Sequence, residues 1–79
     1  MDVLEKIQKQ VDSAAIVIYM KGTPQFPQCG FSARASQTLA STGVEFAYVN
    51  IFEDQEVFQS LPDFADWPTF PQIYFNSEL

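Results

Sequence analysis

Cys29 is the one cysteine in a chain of 79 residues, and it stands in the stretch KGTPQFPQCGFSAR, Lys21 to Arg34. A thiol does chemistry as its thiolate, which is both the nucleophile and the soft metal ligand. The residues around Cys29 favour that form. A helix is expected to begin at Cys29 or Gly30, which turns its first amides and the positive end of its dipole towards the sulfur. Lys21, at the end of an expected strand, can bring an ammonium to the same point. Gly22, Pro24 and Pro27 keep the intervening segment out of helix and central strand. A lone cysteine also serves as a small buried hydrophobe. The position at the carboxyl end of a parallel strand, where open α/β sheets place their ligands, favours a working thiol instead. The fourth position of a Cys-x-x-Cys motif is Ser32 here. Serine cannot resolve a mixed disulfide, so a second thiol must come from outside the chain.

The elements that would hold this thiol follow from periodicity. Residues 2–12 read as a helix with Val3, Leu4, Ile7 and Val11 on one face, Asp2 as cap and Glu5 in the capping-box position. "AIVIYM", residues 15–20, is a short apolar run suited to a central strand buried on both faces. A second helix runs to Ser41 with Phe31, Ala35 and Leu39 on one face and Gly43 as its stop. Residues 46–51, "FAYVNI", form a second strand, and strand–helix–strand implies a right-handed parallel βαβ unit. A third helix is expected over 54–64, with Val57, Phe58 and Leu61 inward and Pro62 ending it. A third strand spans 72–75, followed by a turn at Asn76-Ser77 and the first residues of a returning strand. That leaves the third strand with an open edge.

Composition narrows the functions. One α/β domain, 1–79, accounts for the length. Net charge is −6, and Lys6, Lys9, Lys21 and Arg34 are the only basic residues. That excludes a nucleic-acid footprint and a basic membrane-surface helix. There is no histidine, so His-based zinc sites and Cys–His nucleophile pairs are excluded. One cysteine makes no internal disulfide, and with no apolar signal segment or membrane-length run the sequence fits a reducing compartment.

"MKGTP-x-FPQCGFS", then "FAYVNI" and "WPTFPQ", resembles the monothiol glutaredoxins of the CGFS type, and the resemblance covers essentially the whole chain. It implies a thioredoxin-like fold with helices on both faces of the sheet. It implies glutathione beside Cys29, and a [2Fe–2S] cluster shared between two protomers or with a cluster-handling partner protein. Such a cluster takes four thiolates, and two Cys29 with two glutathiones supply them. By the same resemblance Lys21 meets a glutathione carboxylate and Cys29 is the catalytic thiol and cluster ligand. In Thr69-Phe70-Pro71 the proline is cis, and Phe70 offers its backbone N–H and C=O to the glutathione peptide. Phe31 and the Gly30 amide would shape the cluster pocket, with Arg34 on the surface. The location implied is the cytoplasm, or an organelle matrix after removal of a transit segment.

Two departures bear on this. Phe58 stands where the family carries a basic or amide residue for the glycine carboxylate of glutathione, with Gln59 as a possible substitute. The family also continues beyond the final turn with a Gly-Gly-Cys-Asp stretch, a fourth strand and a C-terminal helix, which have no counterpart before Leu79. Three functions follow: an iron–sulfur carrier, a glutathione-dependent thiol–disulfide oxidoreductase, or a truncated remnant that no longer binds its ligand.

Overall fold

The computed structural model describes residues 2–65 and 70–79. Its elements are α1 (Val3–Asp12), β1 (Ile16–Met20), α2 (Gly30–Ser41), β2 (Ala47–Asn50), α3 (Gln55–Ala65) and β3 (Gln72–Phe75), with a 3-10 turn at Ile51–Glu53. The strands form one sheet in the order β2-β1-β3. β1 runs parallel to β2, from Val17 opposite Ala47 to Met20 opposite Asn50. It runs antiparallel to β3, from Ile16 opposite Phe75 to Tyr19 opposite Gln72.

β1 organises the molecule because its side chains alternate between two cores. Val17 and Tyr19 join Ile7 and Val11 of α1, Val57 and Leu61 of α3, Ile51 and Tyr74. Ile18 and Met20 face the other way, onto Leu39 of α2, with Ala35, Phe46 and Ile73 beside them. Val17 to Met20 are all at most 1% exposed, as the apolar run predicts. Burial pushes the Tyr19 phenol well above its ordinary value. It therefore stays a neutral donor, and gives its proton to Gln10 Oε1 at 2.8 Å.

Several expectations are corrected. Leu4 is about half exposed, so the buried stripe of α1 is Ile7 and Val11 with Val3 at its margin. Phe31 does not line the inner face of α2. The buried positions there are Ser32, Ser36 and Leu39; two small side chains let the start of the helix lie close to the sheet, and Phe31 is rotated outward. β2 stops at Asn50, and Ile51 enters the 3-10 turn. Asn50 caps that turn, its side chain accepting the Phe52 N–H. Pro62 lies inside α3. The helix continues past it because Phe64 and Ala65 pack against the larger core, and that burial outweighs one lost backbone bond.

The ends of the elements are chemically specified. Asp2 accepts the N–H groups of Leu4 and Glu5. Gly43 has φ +78° and donates its N–H to the Ala40 carbonyl, a left-handed stop that a side chain would strain. Asn76 and Ser77 both have positive φ, and Phe75 and Glu78 exchange backbone bonds across them. This is the two-residue hairpin turn that matches strand twist. Ser77 Oγ hydrogen-bonds the Asp12 carboxylate, tying the turn to the end of α1.

Asp54 does two jobs before α3. It accepts the Val57 N–H at 3.2 Å as an N-cap and pairs with Lys6 of α1. The Lys6 hydrogen bond is the largest of the effects holding the Asp54 carboxyl below its ordinary value of 3.8. A depressed carboxyl pKa stabilises the fold above the unfolded value and loses that stabilisation as pH falls through the folded one. Asp54→Ala should therefore lower stability by about 1 kcal/mol at pH 7. Asp54→Asn, which keeps the cap acceptor, should lose less. Urea unfolding should show the wild-type advantage over Asp54→Asn fading below pH 3.8.

Candidate functional site

At the carboxyl end of β1 the chain leaves the sheet and its next two amides are taken by side chains. Lys21 N–H donates to Ser32 Oγ at 3.1 Å, and Gly22 N–H donates to Asn50 Oδ1 at 3.1 Å. The loop beyond is closed on itself. Gln28 N–H donates to the Lys21 carbonyl at 2.8 Å, and Thr23 and Phe26 exchange backbone bonds across Pro24-Gln25. The Phe26 N–H also reaches Thr23 Oγ1 at 3.0 Å. Gly22 is required at the base of this hairpin. Its φ is +94°, and a Cβ there would stand 2.5 Å from the Phe26 carbonyl oxygen and 2.8 Å from the Gln28 nitrogen.

The closed loop delivers Cys29 to the N-cap position of α2, in extended backbone conformation. The thiol is half-buried. Its sulfur closes no cap hydrogen bond in strict geometry, yet the helix amides face it. The Ser32 and Phe31 amides, in that order, hold the thiol below its ordinary value of 9.0. The Lys21 charge and the Ser32 hydroxyl act in the same direction, and desolvation opposes them. The first-turn amides that act on the sulfur are those of Phe31 and Ser32. Gly30 contributes open space, since a Cβ there would meet nothing within 4 Å.

Two aromatic rings close to Cys29 in sequence are exposed. Phe26 is 75% exposed on the loop and Phe31 74% exposed on the first turn of α2. Arg34 is exposed, as expected. The Phe70–Pro71 peptide is cis, as the resemblance implies. Continuing the β1–β3 register past Tyr19 and Gln72 brings Phe70 to the same end of the sheet as Lys21. Thr69 lies outside the described residues, as does Trp67. Phe58 packs edge-on to Phe70 at 5.5 Å and against Phe52 at 6.1 Å, while Gln59 is exposed. Gln59 therefore does not take the place that Phe58 occupies. Lys21, Cys29, Phe70 and Pro71 are thus brought to one end of the sheet.

Asn50, whose Oδ1 also accepts the Phe52 N–H at 3.0 Å, is not among the residues expected at the site. A polar residue closing the apolar strand "FAYVNI" was the available signal. Among the described residues no three His, Cys, Asp or Glu side chains gather as a metal site. One thiolate is what this chain offers a soft metal.

The comparisons agree with this geometry. Residues 16–79 match the sequence profile of the family described as Glutaredoxin. The chain is 53% identical over 79 residues to a protein named Glutaredoxin 4 from Buchnera aphidicola subsp. Schizaphis graminum, spanning all of this chain and 74% of that one. It is 50% identical over 76 residues to Glutaredoxin 4 of Escherichia coli K12, spanning 96% of this chain and 66% of the relative. Among solved structures, a monomeric truncated mutant of Trypanosoma brucei 1-C-Grx1 superimposes with a TM-score of 0.85 at 27% identity, over 99% of this chain and 71% of that one. Reduced apo GrxS14 of poplar gives 0.78 at 44% identity, over 94% and 68%. The fold is the thioredoxin-like one of these proteins.

Gly22→Ala should break the base of the loop. A loss of at least about 1 kcal/mol is expected in urea unfolding, with faster amide exchange at Phe26 and Gln28. In the unaltered chain, thiolate absorbance should titrate with a midpoint below 9.0, and Lys21→Gln should raise that midpoint.

Proposed function

This chain belongs to the glutaredoxin family, and from that premise we propose that it is a monothiol glutaredoxin that binds glutathione and carries a glutathione-ligated [2Fe–2S] cluster. The observation that carries the reading is the single thiolate-favouring sulfur at the N-terminus of α2, beside Lys21 and with Ser32 in place of a second thiol. A cluster of four thiolates exceeds what one chain supplies. Two chains and two glutathiones match it, so the cargo would be held at a symmetric contact between protomers or with a cluster-handling partner. The exposed Phe26 and Phe31 would border that contact.

Glutathione would lie between Cys29, Lys21 and the segment Thr69-Phe70-Pro71. The Lys21 ammonium suits a carboxylate. No backbone bond joins Phe70 to another described residue, which leaves its N–H and C=O for an added peptide strand. Phe58 offers no charge to a second carboxylate, so binding should be weaker than in a site with two cations. The work proposed is cluster carriage and redox homeostasis in a reducing compartment.

A second reading uses the same thiolate. Cys29 would attack the glutathione sulfur of a mixed disulfide, breaking that S–S bond and releasing the substrate thiolate. Free glutathione would then attack the Cys29–glutathione disulfide and leave as oxidised glutathione. The half-exposed sulfur and the open flank at Gly30 support access for this step.

Anaerobic reconstitution with iron, sulfide and glutathione should give coloured protein that elutes as a dimer. Colour should require glutathione and vanish in Cys29→Ser. Folded but colourless wild-type protein would overturn the carrier reading, and robust turnover in a glutathione-dependent disulfide reduction assay would then favour the second.

A further inference from the structure

We infer that Phe52, Phe58 and Phe70 form an aromatic subsite that selects thiol peptides whose carboxyl end is blocked over those that end in a free carboxylate. The inference rests on the proposed binding of a thiol peptide between Cys29, Lys21 and Phe70, and names what that site prefers. The three rings are continuous. Phe58 lies edge-on to Phe70, with ring centres 5.5 Å apart and planes at 79°. Phe52 tilts onto Phe58 at 6.1 Å. Packing of the fold accounts for Phe58 and Phe70, which rest against the larger core. It does not account for Phe52, which belongs to neither core and is 51% exposed. Asn50 sets its place. One oxygen, Oδ1, accepts the Phe52 N–H at 3.0 Å and the Gly22 N–H at 3.1 Å. The Phe52 backbone is thereby tied to the residue that follows Lys21, and the row of rings ends at Phe70, where the ligand peptide would lie.

The charges around the row decide which ligand end suits it. The elements that carry the rings hold no cation, since no Lys or Arg follows Arg34 in the sequence. Lys6, the base that α1 turns towards α3, is already paired with Asp54. Glu53, beside Phe52, and Glu56, two residues before Phe58, are both exposed acids. The N-terminus of α3 would attract an anion, but the chain meets that charge itself. Asp54 accepts the Val57 N–H, and Glu56 stands in the first turn. A free carboxylate over these rings would lose water without gaining a partner. An amide or ester there carries no charge to desolvate and keeps its apolar contact with the rings. Lys21 serves one carboxylate of the peptide, and the end that lies over Phe58 is better uncharged.

The test is an NMR titration of the reduced full chain with reduced glutathione and, separately, with its glycine ethyl ester. Without oxygen no disulfide forms, so affinity alone is read. The ester should bind about threefold more tightly than the free acid, and should shift the ring protons of Phe52 and Phe58. Phe58→Arg should reverse the order, holding glutathione about tenfold more tightly than the ester. Phe52→Ala alters an exposed side chain outside both cores. It should leave the chain folded and remove the advantage of the ester, so the test stands even where Phe58→Arg does not fold. Free acid bound as tightly as the ester, or more so, by the unaltered chain would overturn the inference. A preference unmoved by Phe52→Ala, or by a folded Phe58→Arg chain, would do the same. In these outcomes glutathione still binds and the proposed function stands. Binding of neither peptide would sink the proposed glutathione site, and the inference with it.

Discussion

The hand-over of backbone hydrogen bonds at the end of β1 is the constraint on which the site depends. As far as Tyr19 the strand lies between two neighbours, β2 on one side and the start of β3 on the other, and Met20 still pairs with β2. Beyond it both ladders end, and two buried or half-buried amides need acceptors. Ser32 comes from the helix that follows and Asn50 from the strand after that. Each ties a later element to the same two residues. The thiol loop is therefore anchored at its base by groups that arrive only when the βαβ unit has closed, and Gly22 is the residue small enough to let the returning chain pass.

The two cores explain why this anchoring is rigid on one side and open on the other. The larger core packs α1 and α3 under the sheet, with the Lys6–Asp54 pair at its rim. Phe58 belongs to its margin and reaches across to Phe70, so α3 buttresses the cis-proline segment. The smaller core is little more than Ile18, Met20 and Leu39. Serine rather than bulky apolar residues faces the sheet at the start of α2, and Phe31 is left outside. The position of the thiol thus rests on polar contacts more than on apolar burial.

Much of this was legible in the sequence. The apolar run at 15–20, the helix beginning at Cys29 or Gly30 and the stop at Gly43 all announce themselves through local rules of burial, capping and backbone freedom. Such rules failed where tertiary packing overrode them. Pro62 reads as a helix end, yet Phe64 and Ala65 gain enough by burial to carry the helix past it. Phe31 fits an i, i+4, i+8 stripe with Ala35 and Leu39, but periodicity does not say which of two adjacent stripes faces the sheet, and the smaller residues won. Within the site, Cys29 and Lys21 were visible by chemistry. Ser32 was visible only as the residue in place of a second thiol and Asn50 not at all, because their bonds to the Lys21 and Gly22 amides join residues distant in sequence.

The charge distribution gives the site a second property. The chain carries a net charge of −6, while the charge acting on the sulfur is the positive one of Lys21. An anionic thiol approaching from afar meets repulsion, and attraction begins only at close range. Repulsion summed over the whole surface reaches far at low ionic strength and is largely screened beyond about 8 Å at physiological ionic strength, so salt removes it first. Encounter with anionic thiols should then quicken as salt is added, opposite to an electrostatically steered site, while a neutral thiol would be nearly indifferent. Ionic strength thus enters as a kinetic filter on which thiols reach Cys29, separate from how tightly any of them is held.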